Sequence, residues 1–129
     1  MKTIKVSEAS GSVLDWLMAK CEGDDLAALN IQYPQHAQHY PKISPSTDWA
    51  QGGPIIEREI TKIFRNVGGT WTVMILKNVP IPPEDRGTSL ALTHRVQWNA
   101  AGSTPLIAAM RCYVASKMGD VVEVPDELL

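Results

Sequence analysis

Residues 60–66, 70–76 and 89–98 carry a strand-like pattern, clearest as alternation in 89–98, while on both sides of that stretch apolar side chains recur at helical spacing. A chain that changes period in this way is neither a pure helical bundle nor a pure sandwich. It needs a sheet with helices laid on it. Residues 60–66 and 70–76 flank Val67-Gly68-Gly69, which predicts a β-hairpin with a glycine-containing loop. In its second arm Trp71, Val73 and Ile75 share one face, and Thr72, Met74 and Leu76 share the other. Residues 89–98 alternate most clearly, with Leu90, Leu92, His94, Val96 and Trp98 on the face expected to be buried. Residues 2–7 and 121–124 are further short strand candidates.

The helices are marked by their ends. Thr104 is placed to cap, Pro105 fits the first helical position, and Gly119 ends the run, with Ile107, Met110, Val114 and Met118 as the expected core stripe. A second helix is predicted over residues 13–22. Ser12 is its expected cap, with Asp15 three residues on in the manner of a capping box. Val13, Leu14, Leu17, Met18 and Cys21 form its stripe, and Gly23 follows its end. Residues 26–32 are too short to assign by period and are compatible with a strand. Residues 33–48, with Pro34, Pro41 and Pro45, and residues 78–88, with Pro80, Pro82, Pro83 and Gly87, read as loops. The expected fold is α+β: a small antiparallel sheet of three to five strands packed against two helices, in one domain over residues 1–129.

Composition narrows the function classes. Lys and Arg number 12 against 14 Asp and Glu, a net charge of −2, without the basic excess typical of nucleic-acid binders. No apolar run is long enough to cross a membrane, and the opening MKTIKVSEAS has no apolar core of a secretory signal. Cys21 and Cys112 are too few for a disulfide framework, and both fall in predicted helices away from helix starts. His36 and His39 stand three apart in a proline-rich loop without the further ligands that zinc requires, so no metal and no cofactor are expected. His94, on an apolar strand face, reads as a hydrogen-bonded core residue. No nucleophile–base spacing and no phosphate-binding glycine loop occurs, and no catalytic residue is assigned.

Residues 44–54 remain as a binding signature. They gather Ser46, Thr47, Asp48, Trp49, Gln51, Gly52 and Gly53 ahead of Pro54. Adjacent glycines let a backbone approach a ligand closely. A helical turn starting at Pro54 would leave free N–H groups for an anion, and Trp49 could stack on a planar ring. Glu57 and Arg58 follow. The competing reading is a folding loop whose tryptophan plugs the core. Trp16, Trp71 and Trp98 sit on regular elements where a core role suffices.

Two sixteen-residue blocks carry a resemblance to a known family. They are Ser44-Pro-Ser-Thr-Asp-Trp-Ala-Gln-Gly-Gly-Pro-Ile-Ile-Glu-Arg-Glu59 and Thr104-Pro-Leu-Ile-Ala-Ala-Met-Arg-Cys-Tyr-Val-Ala-Ser-Lys-Met-Gly119, together with the opening Met1-Lys-Thr-Ile-Lys-Val-Ser. The chain resembles the NinX-like proteins, small accessory proteins of tailed bacteriophages and prophages of enteric bacteria. The resemblance implies a phage product acting in the cytoplasm of the infected host. It implies no reaction. It also suggests that the two blocks meet in space. Arg111, at the edge of the final helix's stripe, would then offer a guanidinium fork beside Tyr113 and Lys117, unless it pairs with Glu57 or Glu59.

The leading expectation is a non-enzymatic accessory protein binding a small anionic or nucleotide-like ligand, with sequestration of a host defence signal as its use. The alternative is a protein-interaction module that inhibits or redirects a host protein. A nucleotide-processing enzyme using Glu57, Glu59 or Asp48 ranks third. Self-association is expected as a way for a small domain to bury more area.

Overall fold

The computed structural model describes residues 1–34, 43–88 and 90–129, and among these the chain forms four α-helices and two small antiparallel sheets, an α+β fold. Strand β1 (Lys2–Lys5) pairs with β5 (Val121–Val124), Ile4 opposite Val122, so the two ends of the chain are tied together. Strands β2 (Lys62–Arg65), β3 (Trp71–Pro80) and β4 (Thr93–Gly102) form a meander with β3 in the middle. The strands expected to make one sheet thus divide into two.

Helix α4 (Pro105–Met118) is the central element. It packs on β3, β4, α1 and α3. Its local signals act as expected: the Thr104 hydroxyl accepts the Ile107 N–H at 3.1 Å, Pro105 opens the helix where no N–H is needed, and Gly119 closes it at φ +88°. The buried surface is wider than the expected stripe. Leu106, Ala108, Ala109, Met110, Cys112, Tyr113 and Val114 are all buried, whereas Met118 is exposed. Small residues at 108 and 109 let neighbouring elements close around the helix.

Helix α1 (Gly11–Cys21) ends as read, Gly23 taking φ +73° and the Asp24 N–H reaching the Ala19 carbonyl at 2.9 Å. Its start differs. Ser12 lies inside the helix, and Asp15 is no capping partner. The Asp15 carboxylate is buried and accepts the Ser46 N–H at 3.0 Å. Residues 26–32 are not a strand but belong to helix α2 (Asp25–Gln32), because the Asp24 side chain caps it by accepting the Ala27 N–H at 3.0 Å.

Helix α3 (Trp49–Glu59) begins five residues before Pro54, with Asp48 as its cap. Gly52, Gly53 and Pro54 therefore lie in its interior rather than ahead of it. The hairpin of β2 and β3 forms as expected, Gly69 supplying φ +89° in the turn. In β4 the expected burial holds for only part of the alternation. Val96, Trp98 and Ala100 are half-buried, but Leu90 and Leu92 precede the strand and stand 96% and 63% exposed. His94 is exposed, not a core residue; residues 93–95 of β4 are all exposed, so alternation there is not matched by cover. The core gathers Leu14, Leu17, Met18, Val73, Ile75, Met110 and Val114, all essentially inaccessible, each large one contributing about 1.5–3 kcal/mol.

Candidate functional site

The first resemblance block forms a tightly bonded corner and then α3. Asp48 accepts the Ala50 N–H at 2.9 Å and the Gln51 amide at 3.2 Å, and the Gln51 side-chain oxygen accepts the Ser44 N–H at 2.7 Å. The carboxylate at this helix start is the protein's own, so the free N–H groups expected at Pro54 are absent from that position. Ser46 is buried against Asp15, and its hydroxyl has no hydrogen-bond partner among the described residues. Thr47 is exposed and its hydroxyl reaches only the Ser44 carbonyl at 3.5 Å. These residues build the corner and leave few donors for a ligand.

The two glycines have different jobs. A Cβ on Gly52 would sit 2.5 Å from a Leu106 methyl and closer still to the Pro45 carbonyl, so Gly52 lets α3 approach α4. A Cβ on Gly53 would meet nothing within 4 Å. Gly53 instead precedes Pro54, and a residue with a side chain is disfavoured in helical conformation there.

The outward face of α3 is therefore low and bare: Ala50, Gly53 and Pro54 between Trp49 at one end and Glu57 at the other. Trp49 is 55% exposed, unlike Trp16, which is buried, and Trp71 and Trp98, which pack against the core. The reading of Trp49 as a core plug does not hold.

The two resemblance blocks do meet. Besides the Gly52–Leu106 contact, Arg58 at the end of α3 reaches the Tyr113 hydroxyl at 3.5 Å and Glu22 at 2.7 Å. Tyr113 in turn donates to Glu22 at 3.1 Å. Arg58 and Lys117 stand 5.8 and 5.7 Å from the Tyr113 ring centre. Glu59 accepts from Arg58 at 3.1 Å and from Lys77 at 3.0 Å. Burial, then the Glu22 carboxylate, pushes the Tyr113 phenol up to about 12. Glu59 would be raised by burial, but the bonds from Lys77 and Arg58 outweigh that and hold it below its ordinary value. Arg58 is raised, chiefly by its bond to Glu22. Glu22 and Lys77 are the members of this cluster that sequence reasoning missed, since no local pattern links them to Arg58.

Arg111 is not in that cluster. Two positions from Tyr113, it leaves α4 in another direction. Its Nε donates to the Ala9 carbonyl at 2.7 Å and its Nη1 to the Ala101 carbonyl at 2.9 Å. It pairs with neither Glu57 nor Glu59, because Glu59 is engaged by Arg58 and Lys77. Burial lowers the Arg111 pKa. Arg111 lines a cleft of about 210 Å³ with Lys5, Val6, Ser7, Asn99, Ala100, Ala115, Asp120 and Val121. A second cleft, about 200 Å³, lies between α1, the start of α2 and α3, and Gln51 lines it together with Met18, Glu22, Pro45 and Ile55. Trp49 lines neither. Trp49 and Arg111 thus do not share either of these two clefts.

The thiols of Cys21 and Cys112 are pushed up to about 11 by burial, opposite to what a nucleophile needs. His36 and His39 lie outside the described residues. Among the described residues no three His, Cys, Asp or Glu side chains gather in a way that could hold a metal ion, and no helix is long and apolar enough to cross a membrane.

No curated protein matches the chain. The profile of one family, described as Bacteriophage P22, NinX, matches residues 5–117. That span takes in α1 to α3, all but the last residue of α4, the first sixteen-residue block and all but the last two residues of the second; the packing of the two blocks against each other forms the α3–α4 contact. The chain belongs to this NinX family of phage proteins.

Proposed function

We propose that this chain is a non-enzymatic phage accessory protein that works by binding another protein, a host protein of the infected cytoplasm, through the outward face of α3. The observation that carries this reading is Trp49: an indole 55% exposed at the head of a helix whose next outward positions are Ala50, Gly53 and Pro54. Large exposed aromatics anchor protein interfaces, and a low surface beside one lets a partner close on it. Glu57 and Thr47 would form the polar rim.

Sequestration of a small nucleotide-like ligand, including a host defence signal, has less support. Both clefts, about 210 and 200 Å³, fall below the roughly 300 Å³ at which pockets for such ligands begin. Arg111 already holds two backbone carbonyls, and Asp48 occupies the helix start. Enzymatic use of Asp48 or Glu59 has as little, since both carboxylates serve as a cap and an ion-pair partner.

A pull-down from host lysate, compared between wild type and Trp49→Ala, tests the proposal. A stoichiometric host protein lost in the variant is the expected result. Calorimetric titration with cyclic dinucleotides and ADP-ribose derivatives is the counter-test: tight binding there, with no protein partner, would replace this reading.

A further inference from the structure

We propose that copies of this chain associate head to tail, the outward side of α2 in one copy docking on the open face of the β2–β3–β4 sheet in the next. Among the described elements α4 is the one helix that packs extensively on this sheet. Val73 and Ile75, both fully buried, mark the face it covers. Alternate residues point the other way. By the register of the strands these include Lys62, Phe64, Met74, Leu76 and Arg95. None of the five is buried, and Phe64 is 45% exposed. Phe64, Met74 and Leu76 form an apolar patch across two adjacent strands. Lys62 and Arg95 flank it, and neither has an ion pair among the described residues. No Asp or Glu occurs in any of the three strands.

The same chain carries the matching piece. Leu26 and Leu29 lie three apart on α2 and so share one side of it. They stand 62% and 51% exposed, while Ala27 and Ala28 are buried. Asp25, four residues before Leu29, lies on that side too, and its ion pair with Lys20 is a surface contact worth little. Residues 22–32 hold Glu22, Asp24 and Asp25 but no Lys or Arg. An apolar pair with a negative flank thus meets an apolar patch with a positive one. Placement sets the arrangement. Helix α2 packs on α1, α1 on α4, and α4 on the covered face of the sheet. The two surfaces stand at opposite ends of that stack, so the contact joins unlike ends of two copies and continues as a ring or a filament. Neither surface includes Trp49, which heads α3.

Sedimentation velocity of the full chain and two double variants tests the inference. Wild type should form species above the 14.2 kDa of one chain, growing with concentration up to about 100 µM. Leu26→Ser with Leu29→Ser removes the α2 surface, and Lys62→Glu with Phe64→Ser removes the sheet surface. All four are exposed positions, so both variants should melt like wild type. Each alone should stay monomeric. Mixed together they should pair one to one and grow no further, because each still offers the surface that the other has lost. Arg95→Glu should weaken association several-fold, and Arg95→Lys should not. Trp49→Ala should associate like wild type, so failure of the α3 reading leaves this one standing. A wild-type chain that stays monomeric at about 100 µM overturns the inference and leaves the sheet face to a different protein. Association that survives in either variant alone, or a mixture that does not pair, also overturns it.

Discussion

Helices α3 and α4 come from the two sequence blocks that resemble the family, and each starts with a polar cap, yet they are built to opposite ends. In α4 every local choice agrees with the helix: Thr104 caps, proline stands first, glycine comes last, and the surface is closed by two sheet strands and two helices. In α3 a glycine pair and a proline sit in the interior, and a tryptophan faces water at its head. Interior glycine and proline weaken a helix. Where such residues persist without a packing gain, a binding role is the natural explanation. Gly52 has a packing reason, whereas Pro54 and Trp49 are exposed. The difference places stability in α4 and is the reason the proposed recognition face is put on α3.

The largest effect should fall on α4. Met110→Ala empties space around a fully buried side chain and should lower unfolding free energy by about 2–5 kcal/mol in urea melts. A loss under about 1 kcal/mol would break the assignment of α4 as the core.

Tyr113 is where the two helices share a polar contact, and its pH dependence reports it. Its folded pKa is raised from 10.0 to about 12, so the unfolded chain gives up the proton first. The stabilisation is fully present below pH 10 and is lost as pH rises toward 12, by roughly 2 kcal/mol. Cys21 and Cys112, raised from 9.0 to about 11, act in the same direction at lower pH. Tyr113→Phe should flatten only the upper part of an alkaline stability profile. An unchanged profile would show that burial and Glu22 do not hold the Tyr113 phenol up in the folded chain.

Gly52→Ala should cost about 1–3 kcal/mol, since the new methyl forces Leu106 and the Pro45 backbone apart. Gly53→Ala should change stability far less, as helix propensity and the clash with Pro54 oppose each other. Equal effects at the two positions would mean that α3 does not dock on α4 through Gly52.

How far was this contrast legible in the chain itself? Helix α4 was, because caps, proline and glycine are local signals. Helix α3 was misplaced because the same signals mislead there: Gly52-Gly53-Pro54 reads locally as a break, whereas Asp48 caps the helix ahead of it and Gly52 is buried against Leu106 and Pro45. Helix α2 was missed because its cap, Asp24, sits one residue after a turn glycine and looks like part of that turn. Leu90 and Leu92 were expected inside because alternation says which face a residue takes, not whether anything covers it. The cluster of Glu22, Arg58 and Tyr113 joins residues 36 and 91 positions apart, a distance that no period in the sequence encodes.

The two prolines sharpen the comparison further. Pro54→Ala restores an N–H inside α3 and should raise stability by about 1 kcal/mol. Pro105→Ala, at a position where the N–H has no helical partner, should leave it unchanged or slightly lower. If Pro54→Ala stabilises the chain and weakens partner capture, the proline-bearing face of α3 is held for binding at the expense of the helix.

Trp49→Ala should have the smallest effect on folding and the clearest effect on recognition. Its indole is 55% exposed and lines neither cleft, so removing it should move unfolding free energy by no more than about 0.5 kcal/mol. An interface anchor behaves in the opposite sense: truncation of a central tryptophan commonly weakens binding by about 2 kcal/mol or more, roughly thirtyfold in Kd. The measurement is therefore a pair, urea melting beside partner capture on the same variant. A Trp49→Ala protein that melts like wild type and no longer holds its partner places recognition on α3. One that loses about 2 kcal/mol of stability instead would return Trp49 to the core alongside Trp16, and α3 would then differ from α4 in how well it is built rather than in what it does.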